Sequence, residues 1–425
     1  MKILLKLFLK IILLRFLFLA AIVSSPVMAL ETEQTPLLIH AARVFDGTNM
    51  RTNTSVLVIN GKVAQIDSRD VFKSSPVKVI DLGDATLLPG FIELHAHLAF
   101  QHIPADIVLR HGITTLRDVG GPLHQPYGGD GSLRVLTSGP IITAVNGYPI
   151  PGMGADNIAV PVATEEQARA TVNKLIAGGA VVIKVALEPG GEVGAPWASG
   201  HGHGHEDKPV AEHDDPHHQP AHKTTDSKMA WPLLPENIVK AIVDEAHKHH
   251  RKVAAHIGEE KGAELAINAG IDEWAHVPCD VIPEPLLKKA VAQQVKIVTT
   301  IDTLSKCPGI THNVNRLAAL GAEFLYGAEV AHPDIPWGID AQELMYMMHM
   351  AKMQPLEVLH TATQKAGRYL NIPLLGTIQS GAPADMIAVK GDLAHSFKTL
   401  EYPDLVMSGG KIIVNNFVKE LPVLR

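Results

Sequence analysis

The stretch GFIELHAHLAF places two histidines two residues apart, His95 and His97. On a strand, a period of two aims both imidazoles at one face, where they can chelate a divalent metal ion. Alone, such a pair is also what a packed core can hold. Other apolar runs carry further chemistry. AVVIKVAL sets Lys184 among branched aliphatics, and a lysine is almost never fully buried without a partner. A chain that snorkels to the surface fits poorly in a strand apolar on both sides. KVAAHIG ends on His256, IDEWAHV on His276, and EFLYGAE on Glu329. Each residue by itself reads as ordinary packing. Four histidines and one lysine gathered at successive strand ends are hard to explain as packing and point to an active site there. No Ser or Cys lies in a recognisable nucleophile motif, so no side chain is expected to attack a substrate.

The elements that must position these residues have a clear rhythm. Apolar strands (ITTLRDVG, AVVIKVAL, KVAAHIG, IDEWAHV, VKIVTT, EFLYGAE) alternate with helical segments such as EEQARATVNKLIAGG, PENIVKAIVDEAHKHH, EKGAELAINAG and PEPLLKKAVAQQ. Near-continuous apolar strands between helices imply a parallel sheet buried on both faces. About eight such units close a (β/α)8 TIM barrel, whose active site lies at the C-terminal ends of the strands. The barrel is expected over residues 89–374. Residues 30–88 and 375–425 read instead as short alternating strands broken by Gly and Asp, a small composite β-sandwich domain made from both chain ends. Residues 197–228 break the rhythm; rich in His, Asp, Gly and Pro, they are expected to be a disordered insertion.

Taken together, LLPGFIELHAHL, HGITTLRDVGG, VVIKVAL, AIVDEAHKHHRKVAAHIG, INAGIDEWAHV and GTIQSGAPADMIAVKGD resemble the amidohydrolase superfamily. The nearest branch is the imidazolonepropionase-like and Xaa-dipeptidase (prolidase-like) group. The resemblance runs from Leu37 to Asn416, interrupted by the His-rich insertion. It implies two divalent metal ions, zinc foremost. His95, His97 and the carboxylate at Glu329 would hold the first, His256 and His276 the second, and a carbamylated Lys184 would bridge them. The implied activity is hydrolysis of an amide, in a dipeptide or an N-acyl amino acid, by a metal-activated hydroxide. Lys184, as a bridge, argues against a one-ion deaminase.

One position departs from the pattern. Relatives read Gly-Thr-Asp where this chain reads Gly327-Ala328-Glu329, one methylene longer. Glu329 is read as a working ligand and proton shuttle, as part of a weakened or respecialised site, or as a solvent-facing residue of a degenerate one. Asp334 is a poor substitute, in its Pro-bounded loop. Two alternative functions stand beside the amidase: a lactonase or other ester hydrolase on the same dinuclear site, and a degenerate zinc-binding protein. The second would work through the insertion, where His201, His203, His205, His213, His217, His218 and His222 form an accessory chelator.

Weaker features complete the reading. Tyr148 in NGYPIPG either borders the substrate pocket or belongs to a turn, and Asp118 either supports the metal ligands from behind or caps a helix. The Met-rich ELMYMMHMAKM reads as core packing. Cys279 and Cys307 are either bridged or two buried thiols. The first 29 residues combine scattered Lys and Arg, an apolar run and a small-x-small site ending at Ala29, the pattern of a cleaved signal peptide. An uncleaved anchor is the competing reading, but the run is short against the ~20 residues a membrane span needs. Export to the periplasm or medium is expected, with no stable membrane insertion after cleavage. Net charge is −7 over 425 residues with no basic stripe, which argues against a nucleic-acid partner. A small molecule or dipeptide is the expected partner, and a homo-oligomer is compatible with the sequence.

Overall fold

Apolar runs that look alike in the sequence lie side by side. The computed structural model describes residues 35–73, 77–99, 101–197, 230–330, 334–393 and 396–417. The signal segment and the seven insertion histidines lie outside the described residues. Parallel ladders join the apolar strands into one sheet of three strands and one of seven. The first holds Phe91–Ala96, Ile113–Asp118 and Arg134–Thr137. The second runs from Ala159–Val162 and Ile141–Ala144 through Val182–Ala186, Lys252–His256, Glu273–Trp274 and Lys296–Val298 to Glu323–Leu325. Ladders do not carry the two sheets into a ring. At one seam stands an isolated parallel bridge, Ala96 to Val330. At the other, the Val181 N–H donates to the Thr137 carbonyl at 2.9 Å.

Every residue of Val182–Ala186 is buried, and Lys252–His256 differs only at Lys252. That is why these runs are almost continuously apolar: helices cover one face and the packed interior the other. The helix Glu236–Lys248 shows the pattern, burying Ile238, Val239, Ile242, Val243 and Ala246 on one side. Helix starts are chemically marked. Thr164 accepts the Gln167 N–H, Glu259 accepts those of Lys261 and Gly262, and Asp340 accepts those of Gln342 and Glu343.

Both chain ends meet in a third, eight-stranded sheet. Its seam is the antiparallel pairing of Ala85–Pro89 with Met386–Lys390, with Leu88 opposite Ile387. These strands form one continuous hydrogen-bonded sheet, over a core that includes Ile39, Val56, Leu87, Met386 and Met407. Inside the parallel sheets, one buried ion pair breaks the apolar rule. The Arg117 guanidinium donates to both Glu273 oxygens, at 2.6 and 3.0 Å, and to the Leu94 carbonyl at 2.7 Å. It thereby ties three strands together. Cys279 and Cys307 are bridged as a disulfide. Among the described residues no helix is long and apolar enough to cross a membrane.

Candidate metal centre

His95 and His97 reach the site from the end of the Phe91–Ala96 strand. The His95 ring is fully buried, and its Nδ1 lies 2.7 Å from the Ala275 carbonyl. A carbonyl only accepts, so Nδ1 carries the proton and Nε2 keeps its lone pair. His276 is arranged alike: its Nδ1 lies 2.9 Å from Thr300 Oγ1. Burial pushes both imidazoles well below the usual histidine range, which leaves them neutral and able to ligate.

Glu329 stands among three of the histidines. Its Oε1 is 3.5 Å from His97 Nε2 and 3.8 Å from His95 Nε2, and its Oε2 is 3.6 Å from His276 Nδ1. At 3% exposure it does not face solvent, so the solvent-facing reading is set aside. Asp334 is exposed. Gly327 makes the close approach possible. A Cβ there would lie 2.4 Å from Val298 Cγ1 and 3.1 Å from His95 Cβ. Glu329 itself has φ +59°, in the left-handed region that glycine tolerates best.

Lys184 enters from the Val182–Ala186 strand with its Nζ buried and without a hydrogen bond. Burial pulls its ammonium down to about 7, while Glu329 pulls the other way. His95 Nε2 and His276 Nε2 are likewise buried without a hydrogen bond. Leaving such atoms unsatisfied costs about 1–3 kcal/mol each. A site that gathers them beside a carboxylate has the donor set of a divalent cation.

The predicted ligands do not all converge equally. His95, His97 and Glu329 have ligand atoms within 4.8 Å of one another. The rings of His95 and His276 are 4.4 Å apart, and those of His256 and His276 4.6 Å. His256, however, turns Nε2 toward Glu192 Oε2 at 3.3 Å, and groups with Glu188 and Glu192. Tyr148 belongs to the same pocket as His97, Lys184, Trp197, His256 and Glu329. Its ring stacks on His256 at 4.6 Å. Among the described residues Asp118 caps no helix. It accepts the Ala99 N–H at 3.1 Å, pinning the chain just past His97, and burial raises it to about 7.

Sequence reasoning missed Glu93, Glu188 and Glu192. Glu93 had a signal: a carboxylate two residues before His95, on the same face of an otherwise apolar strand. Glu188 and Glu192 follow a strand on a Gly- and Pro-containing loop, and no spacing marks them.

Residues 86–413 match the amidohydrolase family model. The chain belongs to that family. Among curated amidohydrolase relatives, ochratoxinase of Aspergillus niger is 29% identical over 197 residues, 42% of this chain and 41% of that protein. The match thus spans well under half of the relative's length. The A. niger ochratoxinase crystal structure superposes with a TM-score of 0.68 at 18% identity, over 91% of this chain and 98% of that one. A Xaa-Pro dipeptidase with methionine bound in its active site gives 0.69 at 21%, over 89% and 99%. These likenesses show the fold, TIM-barrel-like with α/β content, for this amidohydrolase.

Proposed function

We propose that this amidohydrolase cleaves the amide bond of a dipeptide or N-acyl amino acid at a centre of two divalent ions, most suitably zinc. The observation that carries this is the convergence of His95, His97, His276 and Glu329 on one buried point beside Lys184. His95, His97 and Glu329 would hold one ion and His256 with His276 the other. Lys184 would lie between, as a carbamate. Bound there, the ions lower the pKa of a water and polarise the scissile carbonyl.

The side chains do the rest. The neutral Lys184 amine adds carbon dioxide, forming an N–C bond and releasing a proton to solvent. The product is an anion, suited to bridging two cations. Glu329 accepts the proton of the attacking water and passes it to the leaving amine, as a positioned general base and acid. Tyr148, Trp197, Ile141, Met153 and Pro149 line the pocket. They offer a largely apolar surface to the substrate's flanking group.

The same proposal takes the two parallel sheets as one closed barrel over residues 89–374, with the composite sheet as a sandwich domain. It also takes the protein as exported after cleavage at Ala29. The disulfide supports export, because such bonds persist in oxidising compartments. The experiment is chelation followed by zinc repletion, with turnover measured on a panel of dipeptides and N-acyl amino acids. Turnover should vanish and return, and a chain lacking Gly200–Lys223 should hold about two tight ions. Turnover indifferent to metal removal, or no hydrolysis across the panel, would overturn the reading.

A further inference from the structure

Glu188 and Glu192 lie on the loop that follows the Lys184 strand. Both are buried, at 1% and 4% exposure. Among the described residues no Lys or Arg pairs with either, although buried charge is normally paired or bound to metal. Glu192 Oε2 meets His256 Nε2 at 3.3 Å and also accepts the Trp197 indole N–H. Glu188 Oε1 accepts the Gly190 N–H at 2.6 Å.

Two accounts of this cluster compete. With His256, the carboxylates could hold a cation of their own, since their ligand atoms lie within 4.8 Å. But a neutral imidazole has one lone pair and one N–H. If Nε2 spent its lone pair on that cation, only an N–H would remain for the catalytic centre. The hydrogen-bonded account has no such conflict. With Nε2–H donating to Glu192, Nδ1 keeps its lone pair, and His256 lines the pocket shared by Lys184 and Glu329.

We propose that Glu192 is the positioning residue of His256, fixing its tautomer and ring angle so that it can hold the second ion. This rests on the dinuclear reading above. Its physical basis is general: metal-bound histidines donate their other N–H to a carboxylate or carbonyl, which orients the ring and strengthens the ligand.

The surroundings are built for the contact. Gly258 follows His256 by two residues, and a Cβ there would lie 2.4 Å from Glu192 Oε1 and 2.1 Å from Glu188 Oε2. A side chain there would have to displace both carboxylates from their present places. Tyr148 stacks on His256 at 4.6 Å with planes 24° apart, restraining the ring's tilt. Behind Glu192, the loop is held by the disulfide-tied segments. Cys279 Sγ lies 3.5 Å from the Val193 carbonyl. A Cβ on Gly194 would lie 2.4 Å from the Lys306 carbonyl oxygen.

The test uses the full-length chain and zinc, titrated against a competing chelator, in Glu192→Ala, Glu192→Gln and the parent. The variants should hold the tighter ion unchanged. Glu192→Ala should weaken the second by about 10–100-fold. Glu192→Gln, which keeps an acceptor oxygen but loses the charge, should fall between. Excess zinc should restore turnover in both, a rescue that a merely structural defect would not show. Two ions held at parental affinity by Glu192→Ala would overturn this inference and leave the dinuclear reading intact. A parent that binds one ion in the barrel would overturn both. A third tight ion in the parent, lost in Glu188→Gln/Glu192→Gln, would overturn the positioning role in favour of a separate cation site.

Discussion

The Glu93 carboxylate accepts the Ala328 backbone N–H at 3.0 Å, and it also accepts the His95 N–H at 2.6 Å. One buried side chain therefore sets the separation between the strand that carries His95 and His97 and the turn that carries Glu329. Burial raises its pKa well above the usual carboxylate range, and the two N–H bonds pull it back.

Glu93→Ala leaves two buried backbone donors unsatisfied, at about 1–3 kcal/mol each. The folded state should lose about 2–6 kcal/mol, read as a lower melting temperature, and zinc should be held more weakly if the proposed first site is real. An unchanged melting temperature with parental zinc affinity would show that the strands are spaced by something else.

Glu329→Asp should have effects of opposite sign. Asp is more at ease than Glu at φ +59°, so stability should hold or rise. The carboxylate retreats by about 1.5 Å, from a position 3.5–3.8 Å from three histidines. Turnover should fall by roughly 10²-fold, as a 1 Å misplacement does elsewhere. Glu329→Gln should lose roughly 10²–10⁴ by deleting the proposed general base. Steady-state kinetics on both variants decides; a faster Asp enzyme would mean that the extra methylene merely weakens the site.

If Lys184 is the proposed bridging carbamate, Lys184→Met should cost the protein one ion, measured by elemental analysis. In metal-free protein the same change should raise stability. The lysine's folded pKa of about 7 lies below the unfolded value near 10.4, so burying the ammonium is penalised in full below pH 7. The advantage of Met should therefore be largest at pH 6 and shrink between about pH 7 and 10. A constant advantage across that range would mean that Lys184 is not buried as a charge.

A second cluster of buried carboxylates should set the alkaline limit. Burial first, then Asp340, raises Glu343 to about 8; burial first, then Asp302, raises Asp340 to about 7. Glu343 accepts the Asp302 N–H at 2.7 Å. Folded pKa values above the unfolded ones mean that the native state binds more protons. Stability from these groups is then complete below about pH 4 and drains away as pH rises to about 8. Glu343→Gln keeps an acceptor for Asp302 but cannot ionise. It should melt higher than the parent at pH 9, with the advantage shrinking as pH falls and vanishing only below about pH 4. Parallel pH profiles for the two proteins would rule the cluster out as the cause.

What the sequence disclosed follows from periodicity. His95 and His97 were legible because a strand repeats every two residues, and Lys184 because a charge in an apolar run has nowhere else to go. The Arg117–Glu273 pair was present in the same kind of run and went unread. A strand shows that a charge is buried, but not which distant strand supplies its partner. Glu192 was harder still, since a loop has no period and its contact with His256 exists only once Gly258 and the disulfide have shaped the space around it.

The disulfide joins residues 28 apart, whereas the Glu93–Ala328 bond joins residues 235 apart. Contacts of long sequence separation must close large loops before they give anything back, and they form late. The half of the site around His256 and His276 is local and covalently fastened, so it can take shape early. The half around His95, His97 and Glu329 waits until nearly the whole barrel is in place. On the proposed assignment, the ligands of the second ion should therefore come together before those of the first, with the Glu329 turn among the last parts to dock.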